Sequence, residues 1–288
     1  MKTIINSKLN SSIDFKEMMQ RFLLKSKTIR HLSRSIALKN IIAHEAMNTY
    51  FQPIYDVKNN TTFGFEALNR PIALKLFQTA DIFYEFVGQT DKVFLFECFC
   101  RNLSLVRYHK KLLNYNTTKD ISLFINIHPN VLLDKNYHSG ETRALLEKLN
   151  ISPEQVVFEL TERSAVGDFE EFARVLSNYR SQGYRIAVDD VGSGYNSLKT
   201  LIYLKPEFIK LDRSLIQNID QHKAQQQLLT VILNYAIESG TKVIAEGIET
   251  KAEYEFIQSV GVHYAQGYAI GRPHEDLKEG NNPISISI

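Results

Sequence analysis

Short, almost wholly apolar runs recur from residue 48 onward, and stretches of helical periodicity separate them. The runs are TYFQPIYDV (from Thr49), TTFGFEAL (from Thr61), ISLFINI (from Ile121), VVFEL (from Val156), YRIAVDD (from Tyr184), EFIKLD (from Glu207), KVIAEGI (from Lys242) and VHYAQGY (from Val262). A run that is apolar on both sides is what a strand covered on both faces requires. The first two are parted only by the polar turn Lys58-Asn59-Asn60, so they read as consecutive strands joined directly. Helices are expected over 74–114, near 141–149 and near 168–182. Strand–helix units repeated through about 240 residues predict an α/β fold of the (β/α)8 TIM-type barrel class. A doubly wound open sheet is the alternative, weakened because no glycine-rich phosphate loop follows the first strand.

Composition narrows the class without deciding function. The chain has 288 residues, 44% hydrophobic and 23% charged, with 13 Gly and 7 Pro, which excludes collagen-like and wholly disordered chains. No window approaches the roughly 18 unbroken apolar residues of a spanning helix. No apolar core of about 7–15 residues follows the basic N-terminus, so a secretory signal is not expected. Cys98 and Cys100 lie two apart on a helical stretch, where side chains do not face each other. They read as small buried hydrophobes in a reducing, cytoplasmic setting.

The formal charge of +2 hides an asymmetry. Residues 1–43 carry nine Lys/Arg against Asp14 and Glu17, a net +7, which leaves −5 on the remainder. A boundary is therefore expected near residue 43, between a basic helical extension (1–43) and the barrel (44–288). In the extension, Ser11 and Asp14 read as a capping pair, and Ile13, Phe15, Met18, Met19, Phe22 and Leu23 follow at helical spacing. Such a segment packs on the body, mediates dimerisation, or contacts a protein, a nucleic acid or an anionic membrane surface.

The chemistry is expected at the strand ends. Glu66 closes GFE, Asn126 closes LFIN, Glu159 closes VVFE, Asp189 and Asp190 close IAVDD, Lys210 closes FIK, Glu246 closes VIAE, and Gln266 follows HYA. Taken singly, a strand-end glutamate is often structural, an Asp pair can cap a loop, and a lysine can neutralise a neighbour. Together they fall at the same end of successive strands, which in a barrel is one cup at the C-terminal face. Five carboxylates converging on one lysine cannot all ionise without added cations. The donors are oxygens, Asn126 contributing an amide carbonyl, and hard oxygen donors select Mg²⁺, Mn²⁺ or Ca²⁺ over Zn²⁺. Five carboxylates exceed what one Mg²⁺ usually takes, so two ions are expected, with the adjacent Asp189 and Asp190 able to hold both. A two-ion, one-lysine site suits displacement at phosphorus.

These residues also carry a resemblance. Phe65-Glu66-Ala67-Leu68-Asn69-Arg70 resembles the motif that names the EAL-domain cyclic di-GMP phosphodiesterases. The likeness continues in the family's order through FQPI (from Phe51), FINIHP (from Phe124), ELTER (from Glu159), DDVGSGYNSL (from Asp189), FIKLDRSLI (from Phe208), AEGIET (from Ala245) and QGYAIGRP (from Gln266), spanning about residues 48–273. The resemblance implies a barrel enzyme that opens cyclic di-GMP to linear pGpG with two Mg²⁺ or Mn²⁺ ions, lowering a bacterial second messenger that governs motility and biofilms. By the same resemblance, Glu66, Asn126, Glu159 and Asp189 hold one ion, and Asp189, Asp190 and Glu246 the second. Catalysis falls to Lys210, Glu66 and Glu246, and substrate contacts to Arg70, Gln266 and Asp190. Glu162 steadies the loop after Asp190, and Glu249 is a supporting partner or a salt-bridge residue. Asp212 reads as structural. Gly192 and Gly194 keep that loop permissive, and in the family it couples to a homodimer through the barrel. Val191 stands where the common form has Phe, a change that bears on loop packing and the dimer more than on chemistry. Every matched metal and lysine position keeps a competent residue. That argues against the alternative, a catalytically silent module acting as a cyclic di-GMP receptor or protein-binding regulator.

Overall fold

The computed structural model describes residues 27–72, 76–115, 120–127, 140–161, 169–193 and 197–285. It divides into two compact units, one of residues 1–47 with 71–89 and one of residues 48–70 with 90–288. The Ser11–Asp14 pair and the apolar series 13–23 lie outside the described residues.

The larger unit carries a closed barrel whose strands follow chain order: β1 Met47–Asp56, β2 Thr61–Pro71, β3 Ser122–Asn126, β4 Val156–Thr161, β5 Arg185–Val191, β6 Phe208–Leu211, β7 Lys242–Ala245 and β8 Tyr264–Ala265. From β2 to β8 neighbouring strands are parallel. β1 runs against β8, with Tyr55 opposite Ala265 and Asp56 opposite Tyr264. The reversal follows from the sequence. Only residues 57–60 separate β1 from β2, and a parallel crossover needs a dozen or more. Asp56 closes that turn, its Oδ1 accepting the N–H groups of Lys58 and Asn59 at 3.0 and 2.8 Å.

Side chains alternate across a strand, so inward positions share one parity. Ile54, Phe124, Val157, Ala187, Phe208 and Ile244 form an inner apolar cluster, with Phe63 and Tyr264 stacked against each other beside it, ring centres 4.2 Å apart. Two residues further along each parallel strand stand Asn126, Glu159, Asp189, Lys210, Glu246 and Gln266. On the reversed β1 the offset changes sign, and Gln52 lies two residues before Ile54. The barrel thus has a greasy floor and a polar layer above it, as the strand-end pattern predicts. Outside the strands, Leu105, Leu146, Leu176, Leu201, Leu233 and Ile257 come from successive helices and join the outer core. Each such burial contributes about 1.5–3 kcal/mol.

The helical expectations resolve as Ala80–Gly88 and Val93–Leu112 within 74–114, Glu141–Leu149, and Phe169–Ser181. In the smaller unit, residues 27–43 are helical. The Arg34 guanidinium lies over Phe77 and Phe86 (5.2 and 5.9 Å) and its Nε donates to the Leu76 carbonyl at 3.1 Å. Thr79 caps the helix Ala80–Gly88 by accepting the Ile82 N–H. Among the described residues no helix is long and apolar enough to cross a membrane.

Candidate active site

Lys210 stands at the centre of the polar layer, 1% exposed. Its Nζ lies 2.7 Å from Glu159 Oε1, 2.8 Å from Glu246 Oε1, and 3.4 Å from both Glu66 Oε2 and Asp189 Oδ1. Those carboxylates come from β2, β4, β5 and the residue after β7, so the closed barrel alone makes them neighbours. Asn126 Nδ2 donates to Glu66 Oε1 at 2.9 Å, and Gln266 Nε2 donates to Glu66 Oε2 at 2.7 Å. Glu66 is therefore clamped from three sides.

Adjacent residues on a regular strand point to opposite faces, so Asp189 and Asp190 cannot both reach one site from an undistorted β5. The strand is not regular there. Val188 pairs with Ile209 but Val191 with Leu211, which leaves one extra residue in β5. Asp190 takes φ +58°, and its N–H donates to Asp189 Oδ1 at 2.9 Å. This bulge re-aims Asp190. Carboxylate oxygens of Asp189, Asp190 and Glu246 then fall within 4.8 Å of one another. Gly192 follows at φ +102°, and a Cβ there would run into the Leu215 side chain.

Charge is unbalanced in this layer. Burial, reinforced by Glu66, pushes the Glu159 carboxyl well above its ordinary range despite Lys210. Burial raises Asp189 and takes Glu246 up to about 8, each against the pull of Lys210. Glu66 goes the other way. Burial would raise it, but the Lys210 charge and the Gln266 and Asn126 donors together hold it below its ordinary value. Lys210, which burial alone would lower, is raised well above the lysine range by Asp189, Glu159, Glu246 and Glu66. Three buried acids and the partly exposed Glu246 thus share one ammonium, and among the described residues Glu159 Oε2 is buried with no hydrogen-bond partner. An acid-rich, all-oxygen donor set short of positive charge fits hard divalent cations.

A cleft of about 340 Å³ opens over this layer. Arg70 stands exposed on its wall, Nη1 donating to the Asn69 carbonyl. Asp212 caps the helix Arg213–Ile216 through the Ser214 N–H, and Arg213 pairs with Glu249 at 3.0 Å on the rim. Glu253 ties the loop after β7 in place: its Oε2 accepts from the Glu249 and Thr250 N–H groups and its Oε1 from Asn218 N–H. Gly267 allows that loop and the segment after β8 to meet, since a Cβ would strike the Ile248 backbone. Glu162 and Gly194 lie outside the described residues. Gln52, part of the FQPI run but given no role by the sequence, belongs to the site: its Oε1 accepts from Gln266 Nε2 at 3.2 Å while its own amide donates to the Gly271 carbonyl. Its signal was the polar residue breaking an otherwise apolar run. Tyr268, also in the cleft, was missed, and Arg272 lies over its ring at 4.1 Å.

The family model described as EAL domain matches residues 35–273. Two relatives from Escherichia coli are named probable cyclic di-GMP phosphodiesterases. PdeB is 28% identical over 83% of this chain and 45% of its own length, and PdeA 33% identical over 52% of this chain and 20% of its own. The chain therefore spans less than half of these curated relatives. Among solved structures, a standalone EAL protein from Vibrio cholerae, in its c-di-GMP bound form, superposes with a TM-score of 0.71 at 27% identity, over 84% of this chain and 98% of that one. BlrP1 from Klebsiella pneumoniae, in a manganese/cy-diGMP complex, gives 0.68 at 26% identity, over 82% of this chain and 58% of its own.

Proposed function

The chain belongs to the EAL domain family, and on that premise we propose that it is a cytoplasmic, metal-dependent phosphodiesterase that hydrolyses cyclic di-GMP to linear pGpG. The reading rests on one observation, the Lys210 ammonium 2.7–3.4 Å from four carboxylates brought together by separate strands at the floor of an open cleft. Glu66, Asn126, Glu159 and Asp189 would hold one Mg²⁺ or Mn²⁺, and Asp189, Asp190 and Glu246 a second. When bound, the two ions supply Lewis acidity toward the phosphodiester and a water acidified enough to attack it.

The remaining work falls to the chain. Lys210 carries a fixed positive charge and donates to the attacking water or a phosphate oxygen. Glu66 and Glu246, flanking it, receive the proton that the water gives up. One P–O bond forms to that water, one P–O bond to a ribose breaks, and the departing ribose oxygen takes up the proton that the water released to the carboxylates. Arg70 offers an exposed guanidinium to the second phosphate, and Gln266, locked between Glu66 and Gln52, presents a polar edge to the substrate. Glu249, with Glu162, steadies the surrounding loops. A homodimer through the barrel belongs to the same reading, supported by Ile202 and Tyr203, 60% and 48% exposed on the helix Ser197–Leu204. Residues 1–43 stand as an extension outside the catalytic barrel.

Chromatography of cyclic di-GMP incubated with purified protein and Mn²⁺ tests the proposal. Conversion to pGpG is expected, lost with chelator and in Glu66→Ala and Asp189→Asn. Intact substrate beside a folded, nucleotide-binding protein would make the chain a receptor instead.

A further inference from the structure

The helix of residues 27–43 is apolar on two opposite sides. One side is packed: His31 meets Phe86 at 5.3 Å, Arg34 lies over Phe77 and Phe86, and Leu38 and Ile41 are buried. At 3.6 residues per turn the opposite side carries Ile29, Leu32 and Ile36. These are 56%, 60% and 50% exposed. Single exposed aliphatics need no explanation, but three in line form a patch that asks for a partner.

The spacing identifies the partner. Steps of three and four residues are those of a heptad seam. The sequence keeps the register toward the N-terminus, where Phe22 and Phe15 share the heptad position of Ile29 and Ile36, and Met18 shares that of Leu32. Counting the polar seam positions Lys25 and Lys39, the register runs for roughly three and a half heptads, enough to specify pairing. Within the described helix the residues bordering the seam are Thr28, Ser33, Ser35 and Asn40, all uncharged, while Arg21 borders its continuation in the sequence. Lys27, Arg30 and Arg34 fall away from it. An anionic lipid surface would select the reverse, cations along the edges of the apolar stripe. Along residues 27–43 a second copy of the same helix meets this stripe with no charged residues at its edges, although Lys39 in the seam faces its own copy. β-Branched Ile29 and Ile36 at one seam position with Leu32 at the other favour two parallel strands, and the two seam lysines, Lys25 and Lys39, fix register at a cost in stability.

We propose that Ile29, Leu32 and Ile36 are the contact through which two copies of this chain pair, helix against helix, parallel and in register. The pairing is separate from the barrel dimer of the preceding reading and from catalysis. It is tested by cysteine cross-linking of the full chain. In such a pair the two Leu32 positions meet across the seam, whereas Arg30 is exposed on another side of the helix. Under mild oxidation Leu32→Cys should give at least about tenfold more disulfide-linked dimer than Arg30→Cys, because prepaired thiols see millimolar rather than micromolar effective concentrations. The unaltered chain, with Cys98 and Cys100, sets the background. Adding Ile36→Glu to Leu32→Cys should return the yield to that background with the circular dichroism spectrum unchanged. Equal yields from the two cysteine variants, no cross-link from Leu32→Cys, or insensitivity to Ile36→Glu each overturn the proposal. So does binding to phosphatidylglycerol vesicles by a monomeric wild type that Leu32→Glu abolishes.

Discussion

Lys210 lies within 3.4 Å of four carboxylates and is almost wholly buried. Removing one partner of a buried ion cluster costs about 3–5 kcal/mol, because the others keep their desolvation penalty without its compensation. Lys210→Ala should therefore lower the unfolding free energy of metal-free protein, measured in urea, by that order, with a matching fall in the midpoint, and Mn²⁺ should restore part of the loss. A midpoint equal to wild type would mean that the lysine does not hold the acids together. His263 makes a different prediction. Burial, and next the Lys242 charge, depress its pKa, and its Nδ1 accepts the Val243 N–H at 3.2 Å. A histidine lowered on folding stabilises above its unfolded pKa of about 6.5, and that contribution fades as pH falls through the folded value. Between about pH 6.5 and 5, wild type should lose urea stability faster than His263→Asn, which keeps an acceptor that does not titrate. Parallel curves would count against this account. At this scale the acids and Lys210 were legible because each breaks an apolar run at its end. Gln52 was not, because one amide in a strand carries no charge to mark its direction.

Among elements, β5 does the least regular work. Its bulge turns two neighbouring aspartates toward one site, and Gly192 closes it at a φ that non-glycine residues rarely adopt. Gly192→Ala adds backbone strain of about 1–3 kcal/mol to a clash with Leu215. It should lower the melting temperature and weaken Mn²⁺ binding together. A variant that melts lower yet binds Mn²⁺ as wild type would uncouple the loop from the acids. Strand parity was visible in the sequence as a polar residue two places beyond an apolar one. The bulge was not, since nothing in IAVDDV distinguishes an extra residue in the ladder from a plain strand end. The hairpin of β1 and β2 was legible for a simple steric reason, the shortness of the turn between them.

At the level of the molecule, cations that bind only the folded barrel must stabilise it. At a hundred times its Kd a ligand adds about 2.7 kcal/mol, a rise in Tm of roughly 4–5 °C for a chain of this size. Mn²⁺ should produce such a shift in wild type and a much smaller one in Asp189→Asn; no shift in wild type would remove the metal from the account. The grouping of 71–89 with the N-terminal helix into one compact unit was beyond sequence reading. It joins segments separated by a hairpin, and local periodicity carries no record of such a return.

The reversed direction of β1 has a topological effect. In a barrel whose strands all ran one way, the chain would enter at the floor. Here Asn48 is only four residues, or about 13 Å of extended backbone, from Gln52, which touches Gln266 beside Glu66. The chain thus enters the barrel at the rim of the cleft, so a tug or a twist delivered at Asn48 has no barrel height to cross before it reaches the carboxylates around Lys210.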